Sequence, residues 1–167
     1  KRIKEPITIG IPFVKGDVFN EKNVFIHNDQ GNILDLQTKV LARWPDQSIK
    51  WLLCDFQVSI EAKTETAYQI SVDMQRERSD LKSSIKLVKQ PDSLIANTGI
   101  TEFQLDSREL KLFSKVGSGG FTLTDNKGKV FIPKINNIDI ETEGRLRTTL
   151  KIDGDFLSQS NKFFVKY

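Results

Sequence analysis

The sequence predicts an all-β fold, a barrel or barrel-like sandwich of about a dozen short strands, and three observations carry that prediction. Apolar residues recur with period two almost throughout. Turn-forming residues interrupt them roughly every 8–12 positions, and no segment carries the 3.6-residue period of an amphipathic helix.

Taken in chain order, Ile7, Ile9, Ile11 and Phe13 alternate with Thr8, Gly10 and Pro12, which puts the apolar set on one face of a strand. Val24 to Asn28 is a second strand, closed by Asp29-Gln30-Gly31-Asn32, residues that tolerate positive φ and suit a hairpin turn. Ile33 to Arg43 is the return strand. It ends at Trp44-Pro45-Asp46-Gln47-Ser48, where proline fixes φ and withholds a donor. The longest strand runs from Ile49 to Ile60. Leu52, Cys54, Phe56, Val58 and Ile60 share one face, with Trp51 and Leu53 on the other. Apolar residues on both faces at its start predict burial from both sides, and so a core position for Trp51. Ala67 to Met74 follows as a strand.

Gln75 to Ser84 is the least strand-like stretch and reads as a polar loop, the one place where a turn of helix is expected. Strand signals resume at Ile85–Val88, Ser93–Asn97, Thr101–Leu105 and Glu109–Val116, with Asp106-Ser107-Arg108 turning the last pair. Gly117-Ser118-Gly119-Gly120 marks a flexible break before Phe121–Thr124. Asp125-Asn126-Lys127-Gly128 turns into Lys129–Ile132, and Ile138–Glu143, Arg145–Asp153 and Lys162–Tyr167 complete the set.

A length of 167 residues suits one globular domain or at most two small ones, and the expected organisation is a single β-barrel-like domain over residues 1–167. The final Phe163-Phe164-Val165-Lys166-Tyr167 is β-prone to its last residue, which points to the N-terminal fragment of a larger multidomain protein. With 38% hydrophobic and 28% charged residues of both signs, the chain is neither disordered nor membrane-spanning in composition. Its net charge of +3 comes from scattered Lys and Arg without a basic patch, so neither nucleic acid nor a membrane is an expected partner.

Chemistry-bearing motifs are sparse. Cys54, the only cysteine, lies in an apolar run and reads as a buried inert thiol. His27, the only histidine, has no acidic residue in phase on its strand to orient it as a base. Asp125-Asn126-Lys127-Gly128 and Asp153-Gly154-Asp155 resemble calcium loops but lack the other liganding positions, and read as turns. Gly117–Gly120 precedes a strand rather than a helix, which argues against a phosphate loop. No metal or cofactor is expected, and no residue is nominated as catalytic.

One compact constellation remains. Arg43-Trp44-Pro45-Asp46-Gln47-Ser48-Ile49-Lys50-Trp51 holds both tryptophans of the chain, with cations and a carboxylate between them. A tryptophan on a turn can offer its ring face to sugar C–H groups, while Arg and Asp can bind hydroxyls or a uronate. Arg43, Trp44 and Asp46 are therefore the candidate carbohydrate- or interface-contact residues.

At this stretch a family resemblance appears. Leu41 to Phe56 (LARWPDQSIKWLLCDF) resembles the signature of the N-terminal RIFT-type β-barrel of exo-acting rhamnogalacturonan lyases and their YetA-like relatives. Pro6–Val18, Ile95–Leu105 and Gly144–Phe156 are similar, in the same order, to that barrel's opening strand, its Asp-Thr-Gly strand start and its late hairpin. Val14 stands where proline is usual, Gln47 where glycine is usual and Asn97 where aspartate is common. The resemblance implies a RIFT barrel preceding a catalytic helical toroid that is absent from this chain. It further implies a non-catalytic accessory role for the barrel in a polysaccharide lyase. The expected partners are the catalytic domain of the same parent chain and acidic polysaccharide, in a periplasmic or secreted setting. The alternative is a stand-alone carbohydrate-binding module, which would need an exposed aromatic row drawn from Trp44, Phe19 and Tyr68.

Overall fold

The computed structural model describes residues 1–79, 85–106, 123–158 and 162–166. Among them the chain is all-β, with twelve strands and a single 3-10 turn at Glu21–Asn23. That turn lies outside the stretch where helix was expected. Residues 75–79 are irregular, while 80–84, the strand expected over 109–116, the Ser107-Arg108 turn and the Gly117–Gly120 segment lie outside the described residues. The strands form four hydrogen-bonded sheets rather than one closed ladder. Contacts group the chain into two compact units, residues 1–82 with 145–147, and residues 83–144 with 148–167.

In the first unit, β1 (Arg2–Pro12), β4 (Ile49–Ile60) and β3 (Leu36–Arg43) form an antiparallel sheet in the order β1-β4-β3. A second, two-stranded sheet joins β2 (Val24–His27) to β5 (Gln69–Val72). Their apolar faces share one core of Val18, Val24, Ile26, Leu36, Ile49, Leu52, Cys54 and Phe56. The period-two reading of β4 is met, since Leu52, Cys54 and Phe56 are all buried on one face. At up to about 3 kcal/mol for each large apolar side chain removed from water, this face is the principal stabilising contribution of the unit.

Trp51 departs from expectation. It is 42% exposed. The inner face of β4 is covered by the β2–β5 sheet, but its outer face at this end is not. There the indole rests across the neighbouring strand against Gly10, where a Cβ would stand 2.4 Å from Nε1. Apolarity on both faces marked a strand buried on one side with an exposed tryptophan on the other, rather than a strand enclosed by two layers.

In the second unit, β6 (Lys86–Lys89), β7 (Ser93–Asn97) and β8 (Glu102–Asp106) form one meander. The other sheet has the order β12-β11-β10-β9, from β9 (Leu123–Thr124), β10 (Val130–Thr142), β11 (Thr149–Leu157) and β12 (Lys162–Lys166). Leu94, Ala96, Leu105, Ile135, Ile138 and Ile152 make its core. Two strands expected on either side of Pro133 are one. Pro133 pairs with Phe156 of β11 inside this one continuous strand, and among the described residues β9 reaches only Val130 and Phe131 of β10. Asp153-Gly154-Asp155 is not a turn either but the middle of β11. Gly154 fits there because a Cβ would lie 2.5 Å from the Lys134 carbonyl, beside the irregularity between Ile135 and Asn137.

Candidate functional site

The turn after β3 is built by its own side chains. Trp44 N–H donates to the Ser48 carbonyl (2.8 Å), and Gln47 N–H donates to the Trp44 carbonyl (2.9 Å). Gln47 adopts φ +71°, the left-handed conformation for which a glycine at this position would be suited. Asp46 Oδ1 accepts from the backbone N–H (3.1 Å) and hydroxyl (2.6 Å) of Ser48. The hydroxyl bond of Ser48 is the main reason the Asp46 carboxyl is held below its ordinary pKa.

Ser48 is fully buried, and its Oγ in turn accepts from Gly16 N–H (2.9 Å). Ile49 N–H reaches the Val18 carbonyl (2.6 Å), Phe13 N–H reaches the Lys50 carbonyl (3.1 Å), and Trp44 Nε1 donates to the Phe13 carbonyl (3.1 Å). The Trp-Pro-Asp turn thus latches the loop that follows β1. Arg43 belongs to the same latch. Its Nη1 donates to the carbonyls of Gln47 (2.7 Å) and Phe19 (3.1 Å), and its Nη2 lies 3.9 Å from Glu21.

Arg43, Trp44 and Asp46 are therefore brought together, and each spends polar atoms on the fold itself. What remains outward is the Trp44 ring, half-buried with Lys50 Nζ 4.5 Å from its centroid, and the exposed edges of Arg43 and Asp46. Of the other aromatic candidates, Phe19 is exposed, whereas Tyr68 is half-buried and packs on Phe56 with centroids 6.0 Å apart.

A second polar centre went unread in the sequence. Thr8, Asp55 and Gln37 occupy one rung across β1, β4 and β3. Asp55, buried to 6% exposure, accepts from Thr8 Oγ1 (2.5 Å) and from Arg147 Nη1 (3.2 Å). Gln37 grips the backbone of the same late segment. Its Oε1 accepts from Leu146 and Arg147 N–H (3.0 and 3.1 Å), and its Nε2 donates to the Arg147 carbonyl (2.8 Å). Arg145 pairs with Asp35 at 3.2 Å. A strand had been expected from Arg145, but β11 starts only at Thr149, and Arg145–Arg147 lies instead against the first unit. An amide on a strand carries no local signal of a partner 110 residues away.

His27 also acquires partners that its own strand could not supply. Its Nε2 lies 2.8 Å from Ser71 Oγ, diagonally across β5, and its Nδ1 lies 3.3 Å from the Gly31 carbonyl. The ring ties the Asn28–Asn32 turn to β5. Cys54 is fully buried, and burial pushes its thiol up to about 11.

Residues 1–73 match the family model described as the PcRGLX-like N-terminal RIFT barrel domain. The match contains both Pro6–Val18 and Leu41–Phe56, the segments whose pattern carried most of the resemblance, and it agrees with the RIFT barrel of rhamnogalacturonan lyase-like proteins expected from them. No curated protein matches the chain.

Proposed function

We propose that this chain is a non-catalytic accessory β-domain of a polysaccharide lyase-like enzyme, docking on and supporting a catalytic domain of the same parent protein. The observation that carries it is the match of residues 1–73 to an N-terminal barrel domain, in a chain whose signature turn uses its polar groups to build the fold. A lyase needs a positioned base and a group that neutralises the uronate carboxylate as charge develops. Arg43 and Asp46 are already bonded to backbone carbonyls and to Ser48, a state suited to shaping a surface. The docking surface is the exposed side of the Arg43–Lys50 turn, extended by the indole of Trp51, since tryptophans flanked by polar groups are characteristic anchors of protein interfaces.

The chain alone, incubated with pectic, ulvan or glycosaminoglycan polymers, should release no unsaturated uronate. Added to a separately expressed catalytic part, it should raise that part's melting temperature or activity, and Trp51→Ala should weaken the effect. Turnover by the chain alone that Arg43 or His27 substitutions abolish would refute the accessory role.

A further inference from the structure

On the first unit, away from the Trp-Pro-Asp turn, β4 outruns its neighbour. Its last pair with β3 is Leu36–Phe56, yet the strand continues to Ile60. The space beyond is bordered by the Asn28–Gln30 turn and by the loop that returns to Tyr68, leaving an open groove of about 370 Å³. Its floor is apolar and fixed, because Leu34, Val58 and Tyr68 pack on the core and Tyr68 rests on Phe56. Its walls are hydroxyls, amides and two carboxylates, Asp29 and Glu61, with no Lys, Arg or His among the lining residues. Glu61 is ion-paired with Lys1 at 2.6 Å, so Asp29 supplies the more exposed negative charge.

We propose that this groove is a subsite for a neutral pyranose. A sugar ring has apolar C–H faces and a rim of hydroxyls that both donate and accept. An apolar floor carrying one aromatic ring, inside a rim of amides, hydroxyls and carboxylates, complements that pattern. Carboxylates accept hydrogen bonds from sugar hydroxyls, and Asp29 repels a uronate, since the cation nearest the lining, Lys1, is already paired with Glu61. The groove therefore selects against the acidic units of a pectic chain and for the neutral ones. The choice of a glycan follows the carbohydrate setting proposed above, but neither docking nor catalysis is required for binding here.

The test is an NMR titration of the ¹⁵N-labelled full chain with α-1,4-galactobiose and α-1,4-digalacturonate, which differ only in carrying hydroxymethyl or carboxylate groups. Cellobiose, mannobiose and rhamnose complete the neutral series. At least one neutral sugar should bind near the millimolar level and shift amides of residues 28–30, 57–61 and 64–68. Galactobiose should bind about fivefold more tightly than digalacturonate, the scale of an exposed like-charge repulsion. The double variant Asp29→Asn, Glu61→Gln alters exposed side chains and should keep its spectrum. It should bring the two galactose-series ligands to within about twofold. Tighter binding of digalacturonate by the unaltered chain, shifts confined to other residues, or no shift with any neutral sugar would each overturn the proposal. A failure to dock on a catalytic part would leave these outcomes unchanged, so the two proposals fail separately.

Discussion

Trp44 and Trp51 stand seven residues apart on one turn and the strand that leaves it, in opposite surroundings. Trp44 lies on the turn, where a packed and partly exposed ring was expected. It is half-buried there, its indole N–H bonded to the Phe13 carbonyl and its ring beside Lys50. Trp51 lies in the most apolar strand, where burial was expected, yet 42% of it is exposed and its indole rests on Gly10. Hydrogen-bond supply explains the difference. The turn leaves backbone groups that must be satisfied locally, so Trp44 and Ser48 turn inward while Asp46 bonds Ser48 from the exposed side. The strand satisfies its backbone through β1 and β3, so only packing decides what happens to Trp51.

Substitutions can break this contrast. The largest effect belongs to the inner face. Leu52→Ala, beside Trp51 but fully buried, should cost about 2–5 kcal/mol in urea melts. Ser48→Ala comes next, because it strips the Gly16 N–H of its buried acceptor and Asp46 of a donor. A loss of about 1–3 kcal/mol is expected, with altered amide shifts at Gly16. Trp51→Ala should cost less than about 1 kcal/mol, the range of a surface substitution, and a loss equal to that of Leu52→Ala would mean the outer face is a second core.

The smallest effect is a titration. Asp46 has its carboxyl pKa lowered in the fold, mainly by the Ser48 hydroxyl. Its contribution to stability is therefore present above the unfolded value near 3.8 and is lost as pH falls through the lower folded value. A ¹³C carboxyl titration should place its midpoint below 3.8, and Ser48→Ala should move it upward.

Period-two patterning made β4 legible from Ile49 to Ile60, and the turn residues marked Asp29–Asn32 and Asp125–Gly128, where Gly31 and Gly128 take positive φ. The return strand expected from Ile33 instead starts at Leu36 and pairs with β4 rather than with β2. Patterning reports which side chains share a face, but not which face is covered, and Trp51 was misplaced for that reason. Asp153-Gly154-Asp155 has a turn's composition, yet Gly154 answers a close backbone approach from β10. At the candidate site, proximity of Arg43, Trp44 and Asp46 followed from adjacency in sequence. Their engagement with Phe13, Phe19 and Ser48 depended on a loop that only the fold brings near. The Asp55–Arg147 centre was illegible because its halves lie 92 residues apart.

That separation sets a clock. During synthesis at about 5–20 residues per second, Asp55 emerges and pairs with its sheet roughly 5–20 s before Arg147 exists to meet it. For that interval the nascent first unit carries a buried carboxylate held by Thr8 alone among the partners described above, and Gln37 has no backbone to grip. Ribosome-stalled chains long enough to expose residue 82 but not Arg147 should accordingly be cut faster by protease within residues 1–82 than chains extended far enough to expose Arg147.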